Sequence, residues 1–414
     1  MRYDFDIVIV GGGLVGSCLA ALFATQAAFE EFTIAMVEAA PPDMPPPQDE
    51  IDLRVSAISR ASERILERAG AWQRIEPRHL SAYREMVVWD AAGRVDGPGS
   101  VRFSSAETAE PDLGHIVENR RLAWSLVEVP ALTDRVTVLK SNLEALEFET
   151  DAVRVRLADG RRFSAALVVG ADGGASASRS LAGIETTDID YLQRAVVAHV
   201  ATARPHQATA WQRFLPTGPI ALLPLADGRS SIVWSTTPER ADELLARDDA
   251  EFGAAVTEAS DAILGEVTAG GPRAAFPLRS RHARQYCLPG FVLVGDAAHV
   301  VHPLAGQGVN LGFMDCAALV ETLMIVREAG GDIMELRRMR TLRRYERWRK
   351  SENLLALGII DGIGRVFRSS DPGIAALRTA GMGFVSRSGF VRRALVARAL
   401  GLAGDVPAMV HAAR

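Results

Sequence analysis

Ile7-Val8-Ile9-Val10-Gly11-Gly12-Gly13-Leu14-Val15-Gly16 decides how this chain folds. Four consecutive β-branched residues have no polar side to turn to water, so they predict a strand buried on both faces of a parallel sheet. The small-residue stretch from Ser17 to Ala28 predicts a close-packed helix, with a tight turn between the two elements. Gly11 permits that turn, Gly13 lets a phosphate approach the backbone, and Gly16 lets the helix lie against the strand. The phosphate then meets unpaired N–H groups and the positive end of the helix dipole. Thr33-Ile34-Ala35-Met36-Val37 predicts the next strand, ending at Glu38, 22 residues beyond Gly16. A carboxylate there can accept both hydroxyls of an adenosine ribose. The pattern predicts a dinucleotide site in a Rossmann-like α/β domain; the plainer reading of Glu38 is a solvated acid at a strand end.

A second stretch decides which dinucleotide. Gly290-Phe291-Val292-Leu293-Val294-Gly295-Asp296 predicts another buried strand ending in a carboxylate, and Gly306-Gln307-Gly308-Val309-Asn310 opens a helix running through Gly312 to about Arg327. An acid at the strand end can hold a polyol hydroxyl, which the ribitol of FAD has and NAD lacks. The helix start offers N–H donors to the flavin pyrimidine edge, where negative charge gathers on reduction. A simple helix or turn cap is the plainer role for Asp296.

Gly170-Ala171-Asp172-Gly173 completes a trio with these two stretches. Together they resemble the class A FAD-dependent aromatic monooxygenases of the p-hydroxybenzoate hydroxylase type. Within that group, Asp52-Leu53-Arg54-Val55-Ser56-Ala57-Ile58-Ser59, Val117-Glu118-Asn119-Arg120, the histidine-bearing segment from Gly295 to Gly312 and the tail from Tyr345 to Gly404 resemble the ubiquinone-biosynthesis hydroxylases. The resemblance implies a glutathione-reductase-type FAD-binding domain with an inserted β-sheet substrate domain and a C-terminal helical region. Its divisions are 1–75, 111–185 and 285–335 for FAD, 76–110 and 186–284 for substrate, and 336–414 for the helices. It implies that Gly11, Gly13, Gly16 and Glu38 hold the ADP half and that Arg54 approaches the pyrophosphate. Asn119 and Arg120 lie beside the cofactor, Asp172 serves FAD and the pyridine nucleotide, and Gly295, Asp296, Gly306, Gly308, Val309 and Asn310 hold the ribitol and flavin. His299, His302 and Pro303 are the nearest candidates for tuning the isoalloxazine surroundings.

The implied reaction is hydroxylation of the aromatic ring of a polyprenylated phenol or benzoquinol through a flavin C4a-hydroperoxide. It takes O₂ and electrons from NADH, NADPH or a protein donor. Other readings are a hydroxylase of a different aromatic metabolite and a non-catalytic FAD-binding subunit of a biosynthetic complex. A halogenase lacks support, because the chain has no tryptophan-rich signature and only two lysines, Lys140 and Lys350. A flavin reductase acting on prenyl double bonds is disfavoured by His299 and His302.

Composition agrees with a multi-domain enzyme. The chain has 414 residues, 48% hydrophobic and 23% charged, enough for a large core, and a net charge of −5 that gives no nucleic-acid footprint. Cys18, Cys287 and Cys316 are isolated and predict reduced core cysteines, and His299 with His302 lacks a third ligand for a metal. The first strand follows Met1 at once and no apolar run is expected to reach membrane-spanning length, so a cytoplasmic protein is expected, peripheral on the inner membrane face at most.

Pro41-Pro42 and Pro45-Pro46-Pro47 predict an irregular loop, and Asp159-Gly160 a hairpin turn between Val153–Leu157 and Arg162-Phe163. Ala195 to Ala201 and Ser230 to Ser235 alternate as strands. Between Arg337 and Lys350 stand eight basic residues and one acid, followed by apolar stretches from Leu354 to Phe367 and Ile374 to Leu402. A solvated basic face on a docked helix is the plain reading; a surface for anionic membrane and a lipid-tailed substrate is the functional one. On the functional reading, truncation at about Trp348 is expected to leave FAD bound while damaging turnover of prenylated substrates and membrane association. A complex of biosynthetic enzymes and a homo-oligomer both remain open as assemblies.

Overall fold

The structure, a computed structural model, describes residues 3–45, 51–302, 307–369 and 371–411. Pro46, Pro47, Pro303 and Gly306 lie outside them. Strand Phe5–Val10 sits at the centre of an eight-stranded sheet, paired in parallel with Arg162–Gly170 on one side and Ile34–Val37 on the other. The four residues Ile7 to Val10 are buried, as a β-branched run with no polar face requires. Phe291–Leu293 extends this sheet in parallel beyond Arg162–Gly170, and Val136–Leu139 extends it beyond Ile34–Val37. Val153–Leu157 pairs antiparallel with Arg162–Gly170 through the Asp159-Gly160 turn, where Gly160 has φ +89°.

The helix after the glycine turn is Leu14–Thr25, beginning three residues before the predicted Ser17. Gly13 is extended and caps it, so Leu14, Val15 and Gly16 already form its first turn. Helix Gly308–Glu328 packs beside it, and Val15 fills the gap between the two: a Cβ added at Gly312 would stand 2.6 Å from Val15 Cγ2. This second helix has 21 residues and is long and apolar enough to cross a membrane by length and composition, contrary to the sequence expectation. Twelve of its residues are nevertheless buried, so core packing accounts for its apolarity. Cys18 and Cys316 are buried on these two helices, and Cys287 is buried on its short strand.

A second eight-stranded sheet runs in the order His299–Val300, Val267–Ala283, Thr186–Thr202, Ser230–Thr236, Gly218–Pro224, Thr209–Leu215, Glu85–Asp90, Ser100–Ser104. Ala195 pairs with Ser235 and Val197 with Val233 in antiparallel register. Helices Pro238–Ala246 and Asp249–Ala259 cover one face, burying Val196, Ile220, Ile232 and Trp234 against Leu244, Phe252 and Val256. Because Phe291–Leu293 belongs to the first sheet and His299–Val300 to the second, the segment between them is the seam joining both.

The tail forms three helices, Met339–Arg368, Pro372–Arg387 and Gly389–Ala399. Its basic run is not wholly a solvated face. Arg337 is buried and donates to the carbonyls of Ala166 and Thr150, at 3.0 and 2.6 Å, and Arg349 is buried in the core. Buried cations need partners. The expectation that the tail beyond Trp348 is separable from the cofactor domain therefore fails, since Arg349 and Asn353 belong to that domain's interior.

Candidate FAD site

Where the central strand gives way to the glycine turn, a cleft of about 710 Å³ opens. Gly11 has φ +102°, and a Cβ there would lie 2.6 Å from the Ala171 carbonyl oxygen, so both the turn and the neighbouring strand exclude a side chain. At Gly16 an added Cβ would stand 1.8 Å from the Gly11 carbonyl oxygen. Gly13 differs, since a Cβ there would meet no protein atom within 4 Å, and Gly13 lines the cleft. Its bare backbone leaves room for a phosphate at the start of Leu14–Thr25.

Glu38 closes this end of the cleft. Its Oε2 accepts the Gly12 amide at 2.7 Å and its Oε1 accepts the Ala40 amide at 2.9 Å. A carboxylate has about four acceptor sites, so it keeps lone pairs for ribose hydroxyls. Gly12, which the glycine spacing leaves unassigned, has a steric role: its Cβ would stand 2.8 Å from that of Glu38. Arg54 also lines the cleft with an exposed side chain, and Asn119 lines it while accepting the Ser56 hydroxyl at 2.7 Å. Arg120 does not line it; its guanidinium donates to Glu118 at 2.8 Å.

Asp172 lies on the cleft wall, but its carboxylate is occupied by its own turn, accepting the Ser176 and Ser178 hydroxyls at 2.6 and 2.7 Å and the Ser178 amide at 2.8 Å. Gly173, with φ +76°, makes that turn accessible.

At the other end stands Asp296, in the seam between the sheets. Its side chain is open to the cleft yet walled in by protein. That enclosure raises its pKa above the usual carboxylate value, His299 and Arg54 opposing the rise and Asp315 adding to it. Gly308 and Val309 line the same end, so the start of Gly308–Glu328 points its free N–H groups there. Asn310 turns the other way. Its Oδ1 accepts the Ser59 amide at 3.0 Å and its Nδ2 donates to the Ala57 carbonyl at 2.8 Å, clamping the helix start to strand Val55–Ile58. Gly295, at φ +58°, sits under Val15.

His299 is fully buried, with Nε2 2.6 Å from Asp315 Oδ2. His302 is buried too, packs edge-on against Tyr191 at 4.8 Å, and has no hydrogen bond to either ring nitrogen among the described residues. Burial pushes its pKa down to about 4, Arg368 adding to the effect and Asp361 opposing it. Burial, then His299, pushes His282 down to about 4 as well. Both rings are neutral in the folded chain but take up protons below 6.5 once unfolded. Stability is therefore expected to fall from pH 6.5 towards pH 4, by up to about 2.7 kcal/mol per pH unit if both titrate, with no contribution from them above that range. Urea midpoints across this window measure it, and His302→Gln should roughly halve the slope. A flat wild-type profile would contradict the assignment.

Among the described residues, the grouping with metal-ligand spacing is Glu63, Asp112 and His115, and Arg60 already fills it, 2.5 Å from Glu63 and 3.4 Å from Asp112. A second hollow, of about 760 Å³, lies between helix Asp249–Ala259 and the start of strand Val267–Ala283. It is lined by Asp249, Glu258, Asp261 and Glu266 and has none of the phosphate-binding geometry.

The cleft thus offers a bare glycine turn for a pyrophosphate, a ribose acid at one end and a polyol acid with a helix start at the other, a donor set that fits FAD. Comparison with known proteins agrees. Residues 4–347 match the FAD binding domain family. The chain is 35% identical over 400 residues to the 3-demethoxyubiquinol 3-hydroxylase of Escherichia coli, covering 96% of this chain and 98% of that one. It is 36% identical over 425 residues to the mitochondrial ubiquinone biosynthesis monooxygenase COQ6 of Homo sapiens, covering 91% and 88%. The chain belongs to the ubiquinone-biosynthesis hydroxylase family of FAD-dependent monooxygenases. Its fold is that of the p-nitrophenol 4-monooxygenase PnpA of Pseudomonas putida, with a TM-score of 0.74 and 19% identity over 97% of this chain and 99% of that one. The enzyme class and cofactor expected from the residues are those of its family.

Proposed function

We propose that this monooxygenase hydroxylates the ring of a phenol or benzoquinol carrying a polyprenyl tail, as the names of its relatives indicate for them, with NADH, NADPH or a protein donor as reductant. The observation that carries this reading is an apolar cluster beside the flavin end of the cleft. Phe214 of the second sheet, Val301 of the seam and Leu357 and Ile360 of the long C-terminal helix are buried together, with Val88, Leu311 and Phe367 packed on them. Phe367 stacks on Phe214 at 3.8 Å. On the outer side of the same helix Leu354, Leu355, Ile359 and Ile363 are exposed. An apolar cluster at that end of the cleft, with apolar side chains outside it on the same helix, suits a prenyl chain, each buried methylene contributing about 0.8 kcal/mol.

Bound FAD supplies the redox chemistry that delivers one oxygen atom of O₂ to the ring. In this reading the chain's residues position and shield. Gly11, Gly13, Gly16 and Glu38 hold the ADP half, Arg54 faces the pyrophosphate, Asn119 lines the wall, and Asp296 holds the ribitol. The start of Gly308–Glu328 stabilises charge on the flavin pyrimidine edge. His302, a neutral, buried ring beside Val301, shapes the wall behind this end of the cleft, while the apolar cluster excludes water. Arg120 and Asn310 act one layer back, through Glu118 and strand Val55–Ile58.

A strain lacking this gene should accumulate a prenylated quinone precursor one hydroxyl short, identified by mass spectrometry, and regain the product with the wild-type gene but not with Asp296→Ala. An unchanged quinone profile would favour a hydroxylase of another aromatic metabolite. Restoration by Asp296→Ala would favour a non-catalytic FAD-binding subunit.

The last two helices fit a peripheral attachment to an anionic membrane face. Leu377, Phe384 and Phe390 are 73, 59 and 77% exposed, and Arg387 and Arg393 lie among them. Co-sedimentation with anionic phospholipid vesicles should drop at least several-fold in Phe384→Ser/Phe390→Ser. Equal binding by that variant would contradict attachment through these helices.

A further inference from the structure

We propose that Asp315, gripped by Arg349 of the long C-terminal helix, is a positioning residue for the flavin, setting the Gly295-Asp296 turn. The inference rests on FAD occupying the cleft. Asp315 is fully buried and each of its oxygens accepts two hydrogen bonds. Oδ2 takes the Gly295 amide at 3.0 Å and His299 Nε2 at 2.6 Å; Oδ1 takes Arg349 Nε at 2.7 Å and Asn353 Nδ2 at 3.2 Å. Arg349 also donates to Asn353 Oδ1 at 3.0 Å. Burial alone would raise the Asp315 pKa, but His299 and Arg349 together overcome it and hold the carboxyl below the usual range.

The C-terminal helix meets the seam as a ladder. Tyr345, Arg349 and Asn353 recur every fourth residue on one buried face. Tyr345 donates to the Leu293 carbonyl at 2.9 Å, at the end of the strand that leads into the turn, and Arg349 reaches the following Gly295 amide through Asp315. The helix thereby fixes both ends of the peptide run immediately before Asp296. An ion pair kept merely to fill a core is replaceable by apolar residues of similar size. Here the pair ends on a backbone amide one residue from the ribitol acid, in a turn where Gly295 has a left-handed φ of +58° and Val15 presses from the other side.

The test compares four full-length proteins, wild type, Asp315→Asn, Arg349→Met and Asp315→Leu/Arg349→Met, by apoprotein Tm, FAD dissociation constant and the absorption spectrum of the bound flavin. Arg349→Met leaves the buried Asp315 carboxylate without its arginine and should lower both Tm and FAD affinity. The double variant removes both charges and should recover Tm, yet bind FAD about 10- to 100-fold more weakly because Gly295 loses its acceptor. Asp315→Asn keeps the shape and should fold with weakened FAD and a shifted flavin band. If FAD affinity instead tracks Tm through the series, or if the double variant or Asp315→Asn binds FAD with wild-type affinity and spectrum, the network only holds the fold and the proposal is wrong. A wild-type protein that binds no FAD would overturn the cofactor assignment itself.

Discussion

Gly16→Ala is expected to purify without FAD. The new Cβ would lie 1.8 Å from the Gly11 carbonyl oxygen, 2.9 Å from its carbon and 3.3 Å from the Ala171 side chain. Backbone atoms form the tightest of these contacts, so no rotamer change relieves them. Gly11 cannot retreat, because a Cβ in its place would already stand 2.6 Å from the Ala171 carbonyl, which shows how closely the strands approach there. The helix start must move away from the strand, and with it the N–H groups that receive the pyrophosphate. Overpacking of this kind costs about 1–3 kcal/mol, and lost charge-assisted hydrogen bonds about 1.5–3 kcal/mol more. Fluorescence titration should therefore show FAD affinity reduced by roughly 100-fold or beyond. Stoichiometric flavin in the purified variant would mean that the phosphate lies elsewhere.

A chain ending at Trp348 should likewise lose FAD, and with it a soluble fold. The cut removes Arg349 and Asn353 and leaves the fully buried Asp315 carboxylate with His299 as its remaining side-chain partner among the described residues. Removing one member of a buried ion pair costs about 3–5 kcal/mol, a large share of a typical domain's stability. Leu357 and Ile360 go too, opening the apolar cluster beside the cleft. Expression, solubility and flavin absorbance of the truncated chain measure the outcome. A soluble yellow protein would show that the tail is separable after all.

These two cases mark what was legible in the sequence. Strand Phe5–Val10, its glycine turn and Glu38 obey local rules of burial, φ and spacing, and the structure places them on one cleft. Asp296 was legible for the same reason, an acid directly after a buried strand. Arg120 and Asn310 were not, because spacing places a residue near a site without saying which neighbour its side chain takes; Glu118 captures one and strand Val55–Ile58 the other. The pairing of Asp315 with Arg349 joins residues 34 apart, and nothing local connects them. A faint signal existed, since Asp315 is a lone acid inside the apolar stretch from Gly312 to Val320, and such an acid needs a buried partner. The basic run from Arg337 to Lys350 hid that partner among seven other cations.

The reaction proposed for this enzyme is oxygen transfer from O₂ to the ring of a prenylated phenol. It is tested most directly by supplying isotope-labelled dioxygen to the FAD-loaded, chemically reduced protein with a prenylated phenol and weighing the product by mass spectrometry. A ring-hydroxylated product carrying one labelled oxygen atom is expected. Full conversion of the dioxygen to hydrogen peroxide, with the phenol recovered unchanged, would contradict it.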